Sequence, residues 1–222
     1  MERLRTIFFD VGNTLLFPDL EHILAPLRQR GVSVDETRWH SVERQTKQEF
    51  DRVGNDGRID HGFWHLFYTR LLRELGIHDA ALHDSLVQSV RQSANWCMIR
   101  SRTREILQQL GLEYDLSVIS NADGKIADVL KKCGIADCFR KITDSGLVGY
   151  EKPHPAIFKA ALESMQAAAE QSLYVGDVYS VDYVGASNAG MKAILFDVSG
   201  AYRETTLPRV ESLAELQAKL PL

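Results

Sequence analysis

The chain reads as an α/β protein: a Rossmann-like parallel sheet core with an inserted all-helical cap domain. Three observations predict this. Short apolar runs alternate with amphipathic helical stretches over residues 96–222, which implies a parallel sheet covered on both faces. A first buried strand stands apart from the rest, at residues 7–10 (IFFD). Between them, about 19–95 carries helical periodicity and no convincing strand.

Taken in order, the predicted strands are 7–10, 115–120 (DLSVIS), a weak one at 140–143 (RKIT), 172–175 (SLYV) and 192–196 (KAILF). Helical patterns fall at 103–110, 124–133, 155–168, 181–189 and 212–220. In the intervening block LEHILAPLRQRG, TRWHSVERQTKQEFDRV, FWHLFYTRLLRELG and ALHDSLVQSVRQS each read as one amphipathic helix, separated at 31–34, 54–60 and 76–79. Four such helices make a small bundle. The expected division is a core of residues 1–16 and 96–222 and a cap of residues 17–95. An insertion directly after the first strand lies over the carboxyl edge of the sheet, where ligands bind in this architecture.

Composition excludes several classes. The 222 residues carry 26 Lys+Arg against 30 Asp+Glu, a net charge of -4, so no basic surface predicts a nucleic-acid partner. Apolar runs are too short to cross a bilayer, and the N-terminal residues lack a signal-peptide pattern. Three cysteines, Cys97, Cys133 and Cys138, without a secretion signal fit a reducing compartment, so a cytoplasmic location is expected. The expected assembly is a monomer or homodimer.

Polar residues cluster after the predicted strand ends. Asp10 follows the first, Ser120 and Asn121 the second, and Asp177 and Asp182 the fourth, while Lys152 precedes a helix in GYEKPHP. If the strands are neighbours, two carboxylates and a lysine share one small volume. Oxygen donors of this kind suit Mg²⁺, and Lys152 with the Ser120 hydroxyl suits phosphate oxygens.

Four ordered motifs, DVGNTL (10–15), SN (120–121), Lys152 in EKPHP and GDxxxxD (176–182), resemble those of the haloacid dehalogenase superfamily, whose members are mostly phosphohydrolases. The resemblance implies a small phosphorylated substrate and an aspartyl-phosphate on Asp10. It implies Mg²⁺ held by Asp10, Asp177 and the Gly12 carbonyl, and phosphoryl binding by Ser120, Asn121 and Lys152. It gives Asp182 an orienting role and has Thr14 shape the turn.

One position departs from the pattern. Phosphatases of this superfamily usually carry a second aspartate two residues after the nucleophile, as the acid/base. Here that position is Gly12. A positioned acid/base contributes about 10²–10⁴-fold, so its absence favours good leaving groups. A cap histidine, His61 or His65, is one replacement. The polar loop GNDGRIDH offers Arg58 and His61 as substrate contacts. Two alternatives stay open: a phosphate-binding pseudoenzyme and a dehalogenase-type hydrolase. Lys47, the one lysine of the cap block, sits in RQTKQEF and reads as solvated.

Overall fold

The computed structural model describes residues 3–52 and 62–220. Eight strands run in chain order: β1 (Thr6–Phe9), β2 (Leu16–Phe17), β3 (Met98–Ile99), β4 (Asp115–Ser120), β5 (Lys141–Asp144), β6 (Ser172–Gly176), β7 (Lys192–Phe196) and β8 (Arg209–Val210). Between β2 and β3 lie α1 (Leu20–Ile23), α2 (Ala25–Arg28), α3 (Glu36–Arg52), α4 (Gly62–Glu74) and α5 (Ala80–Val90). The remaining helices are α6 (Thr103–Leu110), α7 (Ile126–Lys132), α8 (Ser145–Val148), α9 (Pro155–Met165), α10 (Val184–Asn188) and α11 (Leu213–Lys219).

Six strands form one sheet in the order β5-β4-β1-β6-β7-β8, and every pairing in it is parallel. The chain fills one side of β1 with β4 and β5, then crosses to fill the other with β6, β7 and β8. The order reverses at β1, and a crevice opens there beyond the carboxyl ends of the strands. Alternation along β1 shows why it is central. Ile7 and Phe9 pack into the larger apolar cluster, Phe8 into the cluster under α9 and α10, and all three are fully buried.

The helical block is tethered by the antiparallel pair of β2 and β3, with Leu16 opposite Ile99. Its interior is aromatic. Trp39 of α3 lies 4.5 Å from Phe67 of α4 and close to Trp64 and Tyr68. Helix α3 also docks on the core: Arg44 donates to the Ser199 carbonyl, Gln48 to that of Ala201, and Asp51 accepts from Ser180 N–H and Tyr202 O–H. Among the described residues, no helix is long and apolar enough to cross a membrane.

The elements differ from the sequence-based expectation in a few places. The stretch predicted as one helix over 20–31 breaks at Leu24, because Pro26 has no N–H with which to continue the ladder. The helix predicted from 181 is preceded by a π turn, Tyr179–Tyr183. The helix predicted to 168 stops at Met165, where Gln166 takes a left-handed conformation. Strands β2, β3 and β8, two residues each, were not expected.

Asp144, at the end of β5, holds the loops beside the crevice. Its carboxylate accepts from Gly124, Ile126 and Gly146 N–H and is buried. Removing it strands three backbone donors. Asp144→Ala is expected to lower unfolding stability by about 3 kcal/mol in urea titration.

Candidate active site

Asp10 leaves β1 directly into the crevice, its N–H bonded to the Val175 carbonyl at 2.8 Å. Lys152 arrives from the loop before α9. Its ammonium donates to Asp10 Oδ1 at 2.7 Å, to Asp182 Oδ1 at 2.8 Å and to Tyr174 Oη at 2.8 Å. Tyr174 Oη lies 3.0 Å from Asp182 Oδ1 and 3.2 Å from the Ile119 carbonyl. The other Asp182 oxygen accepts from Asp177 and Val178 N–H. Both oxygens of Asp182 are therefore engaged, and the residue acts by holding Lys152 and the turn after β6. Gly176 is required for this: a Cβ there would stand 2.5 Å from Asp182 Cγ.

Asn121 lines the crevice with both ends of its amide on the Lys152 backbone, Oδ1 accepting from the N–H at 2.7 Å and Nδ2 donating to the carbonyl at 3.0 Å. It positions the lysine. Ser120, at the end of β4, lines the same crevice. Thr14 is buried in the turn after β1, with no hydrogen-bond partner for its hydroxyl. Arg58 and His61 lie outside the described residues. His65 is exposed, its ring 5.4 Å from that of His83, and it does not line the crevice.

Three residues near Asp177 were not anticipated as parts of the site. Lys47 of α3 corrects the expectation of a solvated lysine. It is fully buried, with Nζ 2.7 Å from Asp177 Oδ2 and 2.8 Å from Glu43 Oε1. Both contacts are buried ion pairs. Asn13, at a positive φ of 51°, donates from Nδ2 to both Asp177 and Glu43, at 3.3 Å each. A Glu and a Lys four apart on a helix usually mark a solvated face. The left-handed Asn was the one local sign of a special turn.

Charge is unbalanced here. Among the described residues, four carboxylates, Asp10, Asp177, Asp182 and Glu43, share two buried ammoniums, Lys152 and Lys47, with His40 at the edge beside Glu43. Burial pushes the Asp10 carboxyl up to about 7, Lys152 opposes this, and Asp182 and Asp177 add to it. Burial likewise pushes Asp177 up to about 6 against Lys47. For Glu43 burial is outweighed by Lys47 and His40, and its carboxyl lies below the usual range. Oxygens of Asp10, Asp177 and Asp182 lie within 4.8 Å of one another. With Asp182 occupied, the oxygens of Asp10 and Asp177 and the residual charge fit a hard divalent cation.

The crevice has a volume of about 250 Å³. The helical insertion and its exit contribute Phe63, Trp64, Arg91 and Trp96 to its wall. Trp96 crowds Gly12: a Cβ on residue 12 would sit 3.3 Å from the indole, whose Nε1–H donates to the Val90 carbonyl.

The chain belongs to the haloacid dehalogenase-like hydrolase family, whose pattern matches residues 59–196. It is 28% identical to haloacid dehalogenase-like hydrolase domain-containing protein 3 of Danio rerio, over 97% of this chain and 96% of the relative. It is 26% identical to glyceraldehyde 3-phosphate phosphatase of Pyrococcus furiosus, over 100% of this chain and 92% of the relative. Among solved structures, YfnB of Bacillus subtilis, described as a HAD-hydrolase bound to magnesium, superposes with a TM-score of 0.70. Its identity is 21%, over the whole of both chains. An L-2-haloacid dehalogenase of Xanthobacter autotrophicus gives 0.62 at 17%, over 97% of each chain. At such identities these structures bear on the fold alone.

The tight packing of Trp96 on residue 12 makes a prediction. Gly12→Asp is expected to cost about 1–3 kcal/mol of stability, read by urea unfolding, because the indole must move. Trp96→Ala in the same chain should recover part of that loss.

Proposed function

We propose that the protein is a Mg²⁺-dependent phosphohydrolase acting on a small phosphorylated metabolite through an aspartyl-phosphate on Asp10. In this reading residues 1–16 and 96–222 are the catalytic core and 17–95 the cap. The observation that carries it is the pairing of a buried strand-end carboxylate with a buried ammonium, Asp10 with Lys152, beside Asp177 in an oxygen-lined, net-negative pocket. Phosphatases among the relatives favour the substrate class.

Lys152, Asn121 and Ser120 border the position a phosphoryl group takes opposite Asp10. Asp10 attacks phosphorus, the bond to the leaving oxygen breaks, and that oxygen departs with the bonding electrons. Water then attacks phosphorus, frees the Asp10 carboxylate and yields inorganic phosphate. Two phosphoryl-transfer steps replace one hard displacement. Mg²⁺, held by Asp10, Asp177 and the Gly12 carbonyl, would supply charge neutralisation for an anionic nucleophile meeting an anionic substrate. Lys152 contributes the second cation, positioned by Asn121, Asp182 and Tyr174 before substrate arrives.

Gly12 brings no proton to the leaving oxygen, and Trp96 occupies the adjoining space. Substrates whose leaving group departs as a stable anion, such as acyl phosphates, are therefore favoured over alkyl esters. In the parent, phosphate release from an acyl phosphate is expected to exceed that from an alkyl phosphate. Asp10→Asn should cut it at least about a thousandfold with the fold intact by circular dichroism. Equal rates in mutant and parent would remove Asp10 as nucleophile. Phosphate and Mg²⁺ binding without turnover of either ester would favour the pseudoenzyme, which Gly12 also fits.

Proton competition sets the pH dependence. The folded values of Asp10 and Asp177, about 7 and about 6, lie above the ordinary 3.8. The folded, metal-free chain thus holds protons that the unfolded chain has lost, and its stability falls as pH rises from near 3.8 through about 7. Mg²⁺ must displace those protons. Its addition should raise Tm by a few degrees at about pH 8 and hardly at all at about pH 5, in calorimetric scans.

A further inference from the structure

Lys47 reaches the site from the side away from the substrate crevice, whose wall it does not form. It is fully buried, and its ammonium rests between Asp177 and Glu43, 2.7 Å from the one and 2.8 Å from the other. Asp177 is the carboxylate that, with Asp10, faces the position of a divalent cation. Asp177 Oδ2 also receives Asn13, whose amide bridges to Glu43, so the pair on α3 and the turn after β1 form one unit. The same helix carries Arg44, Gln48 and Asp51, which bind the core loops around residues 180 and 199–202. A charge at Asp177 is therefore felt directly at a contact between the helical insertion and the core.

Two positive charges within a few ångström of one buried carboxylate repel strongly, because little water screens them. Glu43 offsets Lys47 in part. The balance between the two makes α3 a sensor of what Asp177 holds.

We propose that Lys47 sets the affinity of the Asp10–Asp177 site for its divalent cation, and that filling the site loosens α3 from the core. The ammonium and the metal share the charge of Asp177. By linkage, a contact that weakens metal binding is itself weakened when the metal binds. Glu43 acts in the opposite sense, drawing charge away from the shared carboxylate. This rests on the reading of the pocket as a metal site, and it adds a coupling between that site and the placement of the insertion.

The test is titration calorimetry of Mg²⁺ into the full chain, with no substrate. The variants are Lys47→Met, Lys47→Arg, Glu43→Gln and the double variant Lys47→Met with Glu43→Gln. The double variant replaces Lys47 and Glu43 with neutral groups of similar size; Asp177 keeps its contact with the Asn13 amide, and circular dichroism and urea unfolding establish that the variant is folded before the titration is read. It is expected to bind Mg²⁺ at least about tenfold more tightly than the parent, within the usual range of coupling. Lys47→Arg should stay near the parent and Glu43→Gln should bind more weakly. Hydrogen exchange supplies a second readout. Mg²⁺ should speed exchange of α3 amides in the parent and leave them unchanged in the double variant. Parent-like or weaker binding in a folded double variant would overturn the proposal while leaving the metal site itself standing. Mg²⁺ binding in neither protein would overturn both.

Discussion

One ammonium group holds the site together. Lys152 Nζ joins Asp10 at the end of β1, Tyr174 within β6 and Asp182 in the turn after β6, and its backbone is clamped by Asn121 just past β4. These are the strands that meet where the sheet order reverses. A buried lysine without such partners would be costly. Here Asp10 and Asp182 outweigh burial and hold its proton firmly. The network fixes the lysine before any substrate arrives, at the point where phosphoryl charge would appear. The rest follows from keeping it intact: Gly176 gives Asp182 room, and the π turn lets the Asp182 carboxylate reach back to two backbone donors.

Buried ion pairs are poor devices for stability, since desolvation offsets most of the attraction. The pocket goes further and leaves more carboxylates than ammoniums in a dry place. That arrangement costs folding free energy and makes sense as preorganisation for a cation. The aromatic packing of the insertion, around Trp39, Trp64 and Phe67, and the docking of α3 supply the stability that lets the core carry this strain.

Much of the architecture was legible because buried parallel strands are short uninterrupted apolar runs. DLSVIS and KAILF begin and end in the structure where the runs do. Periodicity alone could not find the two-residue pairings of β2, β3 and β8, which tertiary context creates. It also gave one helix where Pro26 makes two. At the site, Asp10, Asp177 and Asp182 were readable as polar residues following apolar runs and Lys152 as a loop lysine before a helix, and the structure brings all of them together. Lys47, Glu43, Asn13 and Tyr174 were not. A Glu–Lys pair on an amphipathic helix looks alike whether its face meets water or a carboxylate, and a tyrosine in an apolar strand does not announce where its hydroxyl ends. Gly12 was recognised as a departure, but the indole of Trp96 that crowds it is a contact between residues far apart in sequence.

The proposed chemistry turns on the Asp10 carboxylate taking up the phosphoryl group itself. Acid quenching of the Mg²⁺-loaded protein during turnover of an acyl phosphate, followed by peptide mass spectrometry, tests this most directly. One added phosphoryl group is expected on the peptide holding Asp10, absent from Asp10→Asn and lost on treatment with hydroxylamine. Phosphate release proceeding at the same rate with no label on that peptide would contradict it.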